Sequence, residues 1–257
     1  MKKISFEEKR LIQLEMLKEI DIFCKENNIR YSLAFGTLLG AIRHKGFIPW
    51  DDDVDIMMPL PDMLRFKALF KSKTMKYCDV DTEKHYSFPF SRIAQTNTIN
   101  KKGIFVYTKG ICIDLYPIIS LPSSEEEEKL FFDKAKPLCE HRLFYKKWNS
   151  RLASFLPIEA LPGTDKVMKK YRDFILNSVP YGKTDKYYII AGPLMLRKKM
   201  SYDLDLFKEL IEVNFENYQF SAISQYHYYL TLRYGDYMQL PPESERVPKH
   251  EADYYWR

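Results

Sequence analysis

Apolar residues near the start of the chain recur at helical spacing. Leu11, Leu14, Leu17, Ile20 and Cys24 stand three or four residues apart, which predicts an amphipathic helix over residues 5–27 that Asn27-Asn28 stops. Residues 31–35 then read as a short buried strand, Gly36-Thr37 as a turn opening a helix through Arg43, and His44-Lys45-Gly46 as a second turn. The apolar run over residues 54–58 predicts the next strand, and Pro61-Asp62 suits the first turn of a helix to Lys71. Further strands are predicted over residues 91–94, 104–107 and 111–116.

Ser123-Ser124 precedes Glu125, Glu126, Glu127 and Glu128, a helix start with acids at the positive end of the dipole. These glutamates are therefore read as a solvated helix face rather than a metal site. Pro137 is expected to interrupt that helix, which resumes through Ser154. The last hundred residues mix helices with a strand over residues 187–190. No internal repeat or low-complexity linker divides the chain. The expectation is one α+β domain over residues 1–257, with a mixed-sheet core in residues 1–120 and a largely helical part in residues 121–257.

Composition narrows the classes of function. At 257 residues the chain can bury a substantial core. The net charge of +5 is scattered, with no basic run long enough for a nucleic-acid tract. Cys24, Cys78, Cys112 and Cys139 form no CxxC pair, which argues against zinc. With no signal peptide or long apolar run, the chain reads as cytoplasmic with free thiols. A basic, aromatic-rich stretch over residues 141–156 could touch an anionic membrane surface peripherally; a core-packed helix with a solvated basic edge is the plainer alternative.

The chemistry concentrates in residues 31–58. Asp51, Asp52, Asp53 and Asp55 crowd four carboxylates beside Trp50, Val54, Ile56 and Met57. Carboxylates this close raise one another's pKa unless a cation holds them charged, and oxygen-only ligands suit Mg²⁺, with Mn²⁺ as the alternative. In a strand, Asp53 and Asp55 project together and Asp51 joins them if the strand extends back. Asp52 then points away, to cap a turn or bind a basic neighbour. Asp114, flanked by Ile113 and Leu115, is the strongest third ligand; a salt bridge to a nearby Arg or Lys is its other reading.

Gly36-Thr37 opens a helix, where backbone N–H groups can meet phosphate oxygens and Thr37 adds a hydroxyl. Arg43, His44 and Lys45 could add positive charge to the same anion, and Arg92 is a candidate phosphate contact. An EF-hand is excluded, because the positions that need glycine and bidentate Glu hold Ile56 and Asp62.

The segments IRYSL (residues 29–33), GTLLGAIRHKG (36–46) and IPWDDDVDI (48–56) resemble the signature of the LicD family of phosphorylcholine transferases, which is related to fukutin. IDLYP (113–117), YGDYM (234–238), LPP (240–242), Arg246 and His250 extend the resemblance over nearly the whole chain. It implies a nucleotidyltransferase-type mixed sheet with flanking helices, Gly36-Thr37 as the phosphate turn, and Asp53, Asp55 and Asp114 as the metal triad. Thr37 in place of the superfamily's commoner Ser, and the long interval to Asp53, fit this branch.

The implied reaction moves phosphocholine from CDP-choline to a hydroxyl of a bacterial cell-surface glycan of teichoic acid or lipopolysaccharide type, free or lipid-linked, with release of CMP. Asp114 would accept the proton of the attacking hydroxyl. Rival readings are transfer of another phospho-alcohol or of a nucleotide, and a metal- and nucleotide-binding scaffold without turnover. Tyr226, Tyr228, Tyr229, Tyr234 and Tyr237 could surround a quaternary ammonium. For Tyr234-Gly235-Asp236 the structural alternative is a glycine-capped helix end with Tyr237 packed beneath it.

Overall fold

Ser5 caps the first helix, its Oγ accepting the Glu8 N–H at 3.1 Å. The computed structural model describes residues 1–84, 86, 88–102, 105–107, 110–148, 164–191, 200–248 and 252–257. From that cap α1 runs over Phe6–Glu26, then β1 over Ser32–Leu33, α2 over Phe35–His44 and β2 over Asp55–Pro59. Next come α3 (Leu60–Leu69), β3 (Met75–Cys78), β4 (Ser91–Gln95), β5 (Thr98–Lys102), β6 (Phe105–Tyr107) and β7 (Cys112–Ser120). The remainder is α4 (Glu125–Trp148), α5 (Thr164–Leu176), β8 (Tyr187–Ile189), β9 (Ser201–Tyr202), β10 (Leu210–Phe215), β11 (Tyr218–Ile223), α6 (Tyr226–Tyr234) and β12 (Asp253–Trp256). The α+β class therefore holds.

The chain divides into two compact units. One comprises Met1–Tyr77, Arg92–Leu115 and Leu206–Arg257; the other comprises Cys78–Ser91 and Tyr116–Asp205. Around the first unit the strand order is β1-β2-β7-β4-β3, with β1 and β2 antiparallel and Leu33 opposite Ile56. Ile56, Met57, Met58, Ile113 and Leu115 are buried in this sheet, as the near-continuous apolar runs require. The β10–β11 hairpin and the β12-β5-β6 sheet belong to the same unit. Residues 121–257 thus hold the strands β8 to β12 beside α4, α5 and α6, and β9 to β12 have no counterpart in the expected elements.

In the second unit, residues 118–120 of β7 pair with β8 antiparallel, and β8 pairs with β9. Phe131 and Phe174 join α4 to α5 with ring centroids 5.0 Å apart. Ser124 caps α4, accepting the Glu127 N–H at 3.2 Å and donating to the Glu127 carboxylate at 3.0 Å. Glu128 pairs with Lys186 at 2.9 Å, and the four glutamates occupy the first turn of α4, the expected helix start. Pro137 lies inside α4 without ending it, contrary to the expected interruption.

Two other corrections concern the first unit. Leu11 is 64% exposed; the buried stripe of α1 is Lys9, Gln13, Leu14, Met16, Leu17, Ile20, Asp21 and Cys24. The first predicted strand shrinks to two residues, because α2 already begins at Phe35. Phe35 holds φ 45°, a left-handed value that costs a non-glycine residue about 1–3 kcal/mol. Its N–H is held by the Tyr229 hydroxyl at 3.1 Å.

The turn after α2 closes tightly. A Cβ on Gly40 would lie 2.4 Å from the Gly46 carbonyl oxygen. Gly40→Ala is therefore expected to destabilise the protein by about 1–3 kcal/mol, since overpacking against backbone outweighs alanine's helix preference of about 1 kcal/mol. Denaturant unfolding measures this, and an unchanged or higher midpoint would contradict the packing.

Cys24, Cys78 and Cys112 carry free thiols. Among the described residues no helix is long and apolar enough to cross a membrane. The side chains of residues 141–156, and His250, lie outside the described residues.

Candidate active site

Asp51, Asp52 and Asp53 do not sit on a strand. Residues 51–54 are irregular, and β2 begins only at Asp55. Strand alternation therefore does not reach back to pair Asp53 with Asp55. Instead Asp51, Asp52 and Asp53 bring carboxylate oxygens within 4.8 Å of one another. Asp51 and Asp53 are half-buried, whereas Asp52 and Asp55 are buried.

Two neighbours on α1 hold this loop. Lys9 donates to the Asp52 backbone carbonyl and stands 3.3 Å from its carboxylate, with its ammonium 4.8 Å from the Tyr254 ring centroid. Asp52 thus turns to a basic neighbour, as its position in the sequence suggested. Arg10 donates to the carbonyls of Ile48 and Asp51, the latter at 2.8 Å, and lies over the rings of Phe6 and Phe47. Burial pushes the Arg10 pKa down, and Asp51 leads the charges that oppose the fall.

Neither Lys9 nor Arg10 stood out in the sequence. One signal was available: Lys9, Gln13, Leu17, Ile20 and Cys24 follow helical spacing, so Lys9 falls on the core stripe.

The first turn of α2 meets the loop directly. The Asp55 N–H donates to Thr37 Oγ1 at 2.8 Å, and the Asp55 carbonyl accepts the Ala34 N–H at 2.9 Å. Asp51 sits over Gly36 so closely that a Cβ there would lie 2.3 Å from Asp51 Oδ2. Gly36→Ala is expected to cut activity at least about tenfold without lowering Tm, because alanine favours the helix by up to about 1 kcal/mol while displacing the Asp51 carboxylate. Wild-type turnover in that variant would remove the close approach as a requirement.

Asp114, on β7, lies beside the end of the loop, its N–H donating to the Val54 carbonyl at 3.0 Å. Its carboxylate is paired with Arg92, at 2.7 Å from Nε and 3.2 Å from Nη2. The salt bridge held open as the other reading for Asp114 is therefore present, and it ties the candidate phosphate contact Arg92 to a carboxylate.

Arg43 and Lys45 are not brought to Gly36-Thr37. They stand at the other end of α2, about 10 Å along its axis. Arg43 donates to the carbonyls of Tyr237 and Gln239 at 2.8 and 3.1 Å, and Lys45 caps the helix at φ 60°.

Tyr229 and Tyr237 of the C-terminal segment are packing residues. Tyr229 is buried against Phe35. Gly235 ends α6 with its N–H on the Thr231 carbonyl at 2.8 Å, and buried Tyr237 bonds back to His227 at 2.9 Å. This is the glycine-capped arrangement named as the structural alternative. Tyr234 is 41% exposed, yet burial around its hydroxyl pushes the pKa up. Arg233 opposes that rise and the Asp55 and Asp51 carboxylates add to it, which sets Tyr234 within electrostatic reach of the site.

Asp51 and Asp53 offer carboxylate oxygens of the kind a hard divalent cation takes, while Asp52 of the same cluster is engaged by Lys9. The helix entry at Gly36-Thr37, the carboxylate loop against it and the mixed sheet are the parts expected of a nucleotidyltransferase-type domain. A family described as "LicD/FKTN/FKRP, nucleotidyltransferase domain" matches residues 28–152. Over 269 aligned residues, 99% of either chain, the protein is 30% identical to "Lipopolysaccharide cholinephosphotransferase LicD" of Haemophilus influenzae. The chain belongs to the LicD family. It is also 29% identical to an uncharacterized protein of Rickettsia prowazekii over 75% of this chain and 63% of that one. A Rickettsia typhi protein, likewise uncharacterized, is 39% identical over 27% of this chain and 23% of its own.

Proposed function

We propose that this protein is a cholinephosphotransferase that moves phosphocholine from CDP-choline to a hydroxyl of a lipopolysaccharide-type glycan, releasing CMP. The observation that carries the reading is near-full-length similarity to a relative named as a lipopolysaccharide cholinephosphotransferase. The carboxylate loop against α2 supports it with suitable chemistry.

In this reading Asp51, Asp53 and Asp55 would hold Mg²⁺, with Asp114 alongside. Bound there, the ion would neutralise charge on the donor diphosphate. The chain's own residues do the rest. Gly36 and Thr37 present helix N–H groups to a phosphate, and Lys9 and Arg10 hold the loop in place for it. The acceptor oxygen forms a bond to the choline-bearing phosphorus as the bond from that phosphorus to the CMP oxygen breaks. Asp114, oriented by Arg92, takes the acceptor's proton. The acceptor is proposed to be lipid-linked and met at the inner face of the cell membrane.

The test incubates the purified chain with CDP-choline, Mg²⁺ and lipopolysaccharide-type acceptors, with teichoic acid and other CDP-alcohols in parallel. CMP release with a phosphocholine mass gain on the glycan is expected, and a chelator should stop it. Binding of CDP-choline without CMP release on any acceptor would defeat the reading in favour of a scaffold. Preference for another CDP-alcohol would keep the site and replace the donor.

A further inference from the structure

A second charged cluster sits at the far end of α2, and its sign is opposite to that of the aspartate loop. Arg43 and His44 lie in the last turn of the helix, with Arg43 Nε donating to His44 Nδ1 at 3.4 Å. The neutral His44 ring therefore carries its proton on Nε2, a donor. The His44 and Trp50 rings meet edge to face, centroids 6.2 Å apart. Arg246 comes in from the C-terminal segment, its guanidinium carbon 5.7 Å from the centroid of the same Trp50 ring and its Nε on the Pro241 carbonyl at 2.9 Å. All four residues are half-buried.

These cations repel one another. Burial leads in pushing the Arg43 pKa down and the Arg246 charge adds to it, against Tyr234. Burial and then Arg43 push the His44 pKa down. No carboxylate among the described residues offsets this at either group. Glu243 and Glu245, exposed in the 3₁₀ turn Glu243–Glu245, make no ion pair with Arg246. The α2 dipole favours cations at its C-terminus, which accounts for Arg43 and His44 but not for Arg246. Half-buried cations of one sign gathered without acids match an anion, and the planar fork of an arginine fits phosphate oxygens. Trp50 directly precedes Asp51, whose carboxylate covers Gly36. The cluster thus adjoins the carboxylate loop, yet stands about 10 Å along α2 from the helix entry that would take the donor's phosphate.

We propose that Arg43, His44 and Arg246, set around Trp50, form an acceptor subsite that binds a phosphate group carried by the glycan receiving phosphocholine. This rests on the glycan acceptor proposed above and names its chemistry: a phosphate-bearing glycan rather than a neutral one. The donor's phosphates meet one end of α2 and the acceptor's phosphate the other, which separates two like-charged substrates along one helix.

The test is calorimetric titration of the full chain, without CDP-choline, with a phosphorylated lipopolysaccharide core oligosaccharide and with the same oligosaccharide after dephosphorylation. The phosphorylated form should bind at least about tenfold more tightly, and Arg246→Gln should erase that difference at an unchanged Tm. Arg246→Lys, which keeps the charge, should retain part of it. In steady-state CMP release, Arg246→Gln should raise KM for the phosphorylated acceptor about tenfold and leave KM for CDP-choline unchanged. Equal binding of the two oligosaccharides by the wild-type chain overturns the proposal. So does a loss in Arg246→Gln that comes with a lowered Tm and a raised KM for CDP-choline, which marks a packing role beside Trp50. No CMP from any acceptor overturns the transfer reading, and the acceptor role with it. CMP release that is indifferent both to dephosphorylation and to Arg246→Gln overturns this inference alone.

Discussion

Asp53→Asn should lower the rate of CMP release at least about a thousandfold and leave the fold intact. Asp53 lies in the irregular loop before β2, half-buried, so an isosteric amide meets no new packing conflict. What changes is one charged oxygen in a set whose members lie within 4.8 Å. An ion held there would supply several kcal/mol of charge stabilisation. Losing about 4 kcal/mol of that is about a thousandfold in rate. The assay is CMP release under saturating CDP-choline, with circular dichroism and a melt to certify the fold. Activity within tenfold of wild type would remove Asp53 from the cation site. Asp52→Asn is the informative companion, because Asp52 is engaged by Lys9 and its loss should register in stability before rate.

The second large effect is on stability. Lys9→Met should cost about 3–5 kcal/mol, because it strands the buried Asp52 carboxylate without its ion-pair partner. The Lys9 and Asp52 side chains are only 9% and 5% exposed, so solvent screens this pair little. Methionine fills most of the lysine stem's volume, which keeps the loss electrostatic rather than a cavity effect. Adding Asp52→Asn should recover at least about half, since the charge that needed compensation is gone. Urea unfolding of both single variants and the double variant closes the cycle. Strict additivity would show that Lys9 and Asp52 do not act as a pair.

Much of the site could be read from local pattern. The span of α1, its stop at Asn27, the helix entry around Gly36-Thr37 and the aspartate run before an apolar strand all appear close to where the sequence puts them. Caps, helical spacing and turns act between residues a few positions apart, so spacing encodes them. Alternation misled at Asp53 because it presumes a strand, and the strand starts two residues later. Arg43 and Lys45 were misplaced for a related reason: nearness in sequence along a helix still separates its two ends.

Family membership, the α+β class and the run of crowded carboxylates were already written in the order of residues. Which aspartate is engaged by Lys9, how Asp114 meets Arg92, and which residues cover the entry to α2 were not. Lys9 and Asp52 stand 43 positions apart, and Phe35 and Tyr229 stand 194 apart. Such pairs form when the chain folds back on itself and buries polar groups that must then find partners. Local spacing says nothing about which partner arrives, so the four-aspartate run resolves into distinct roles only once α1, α2, β7 and α6 are packed around it.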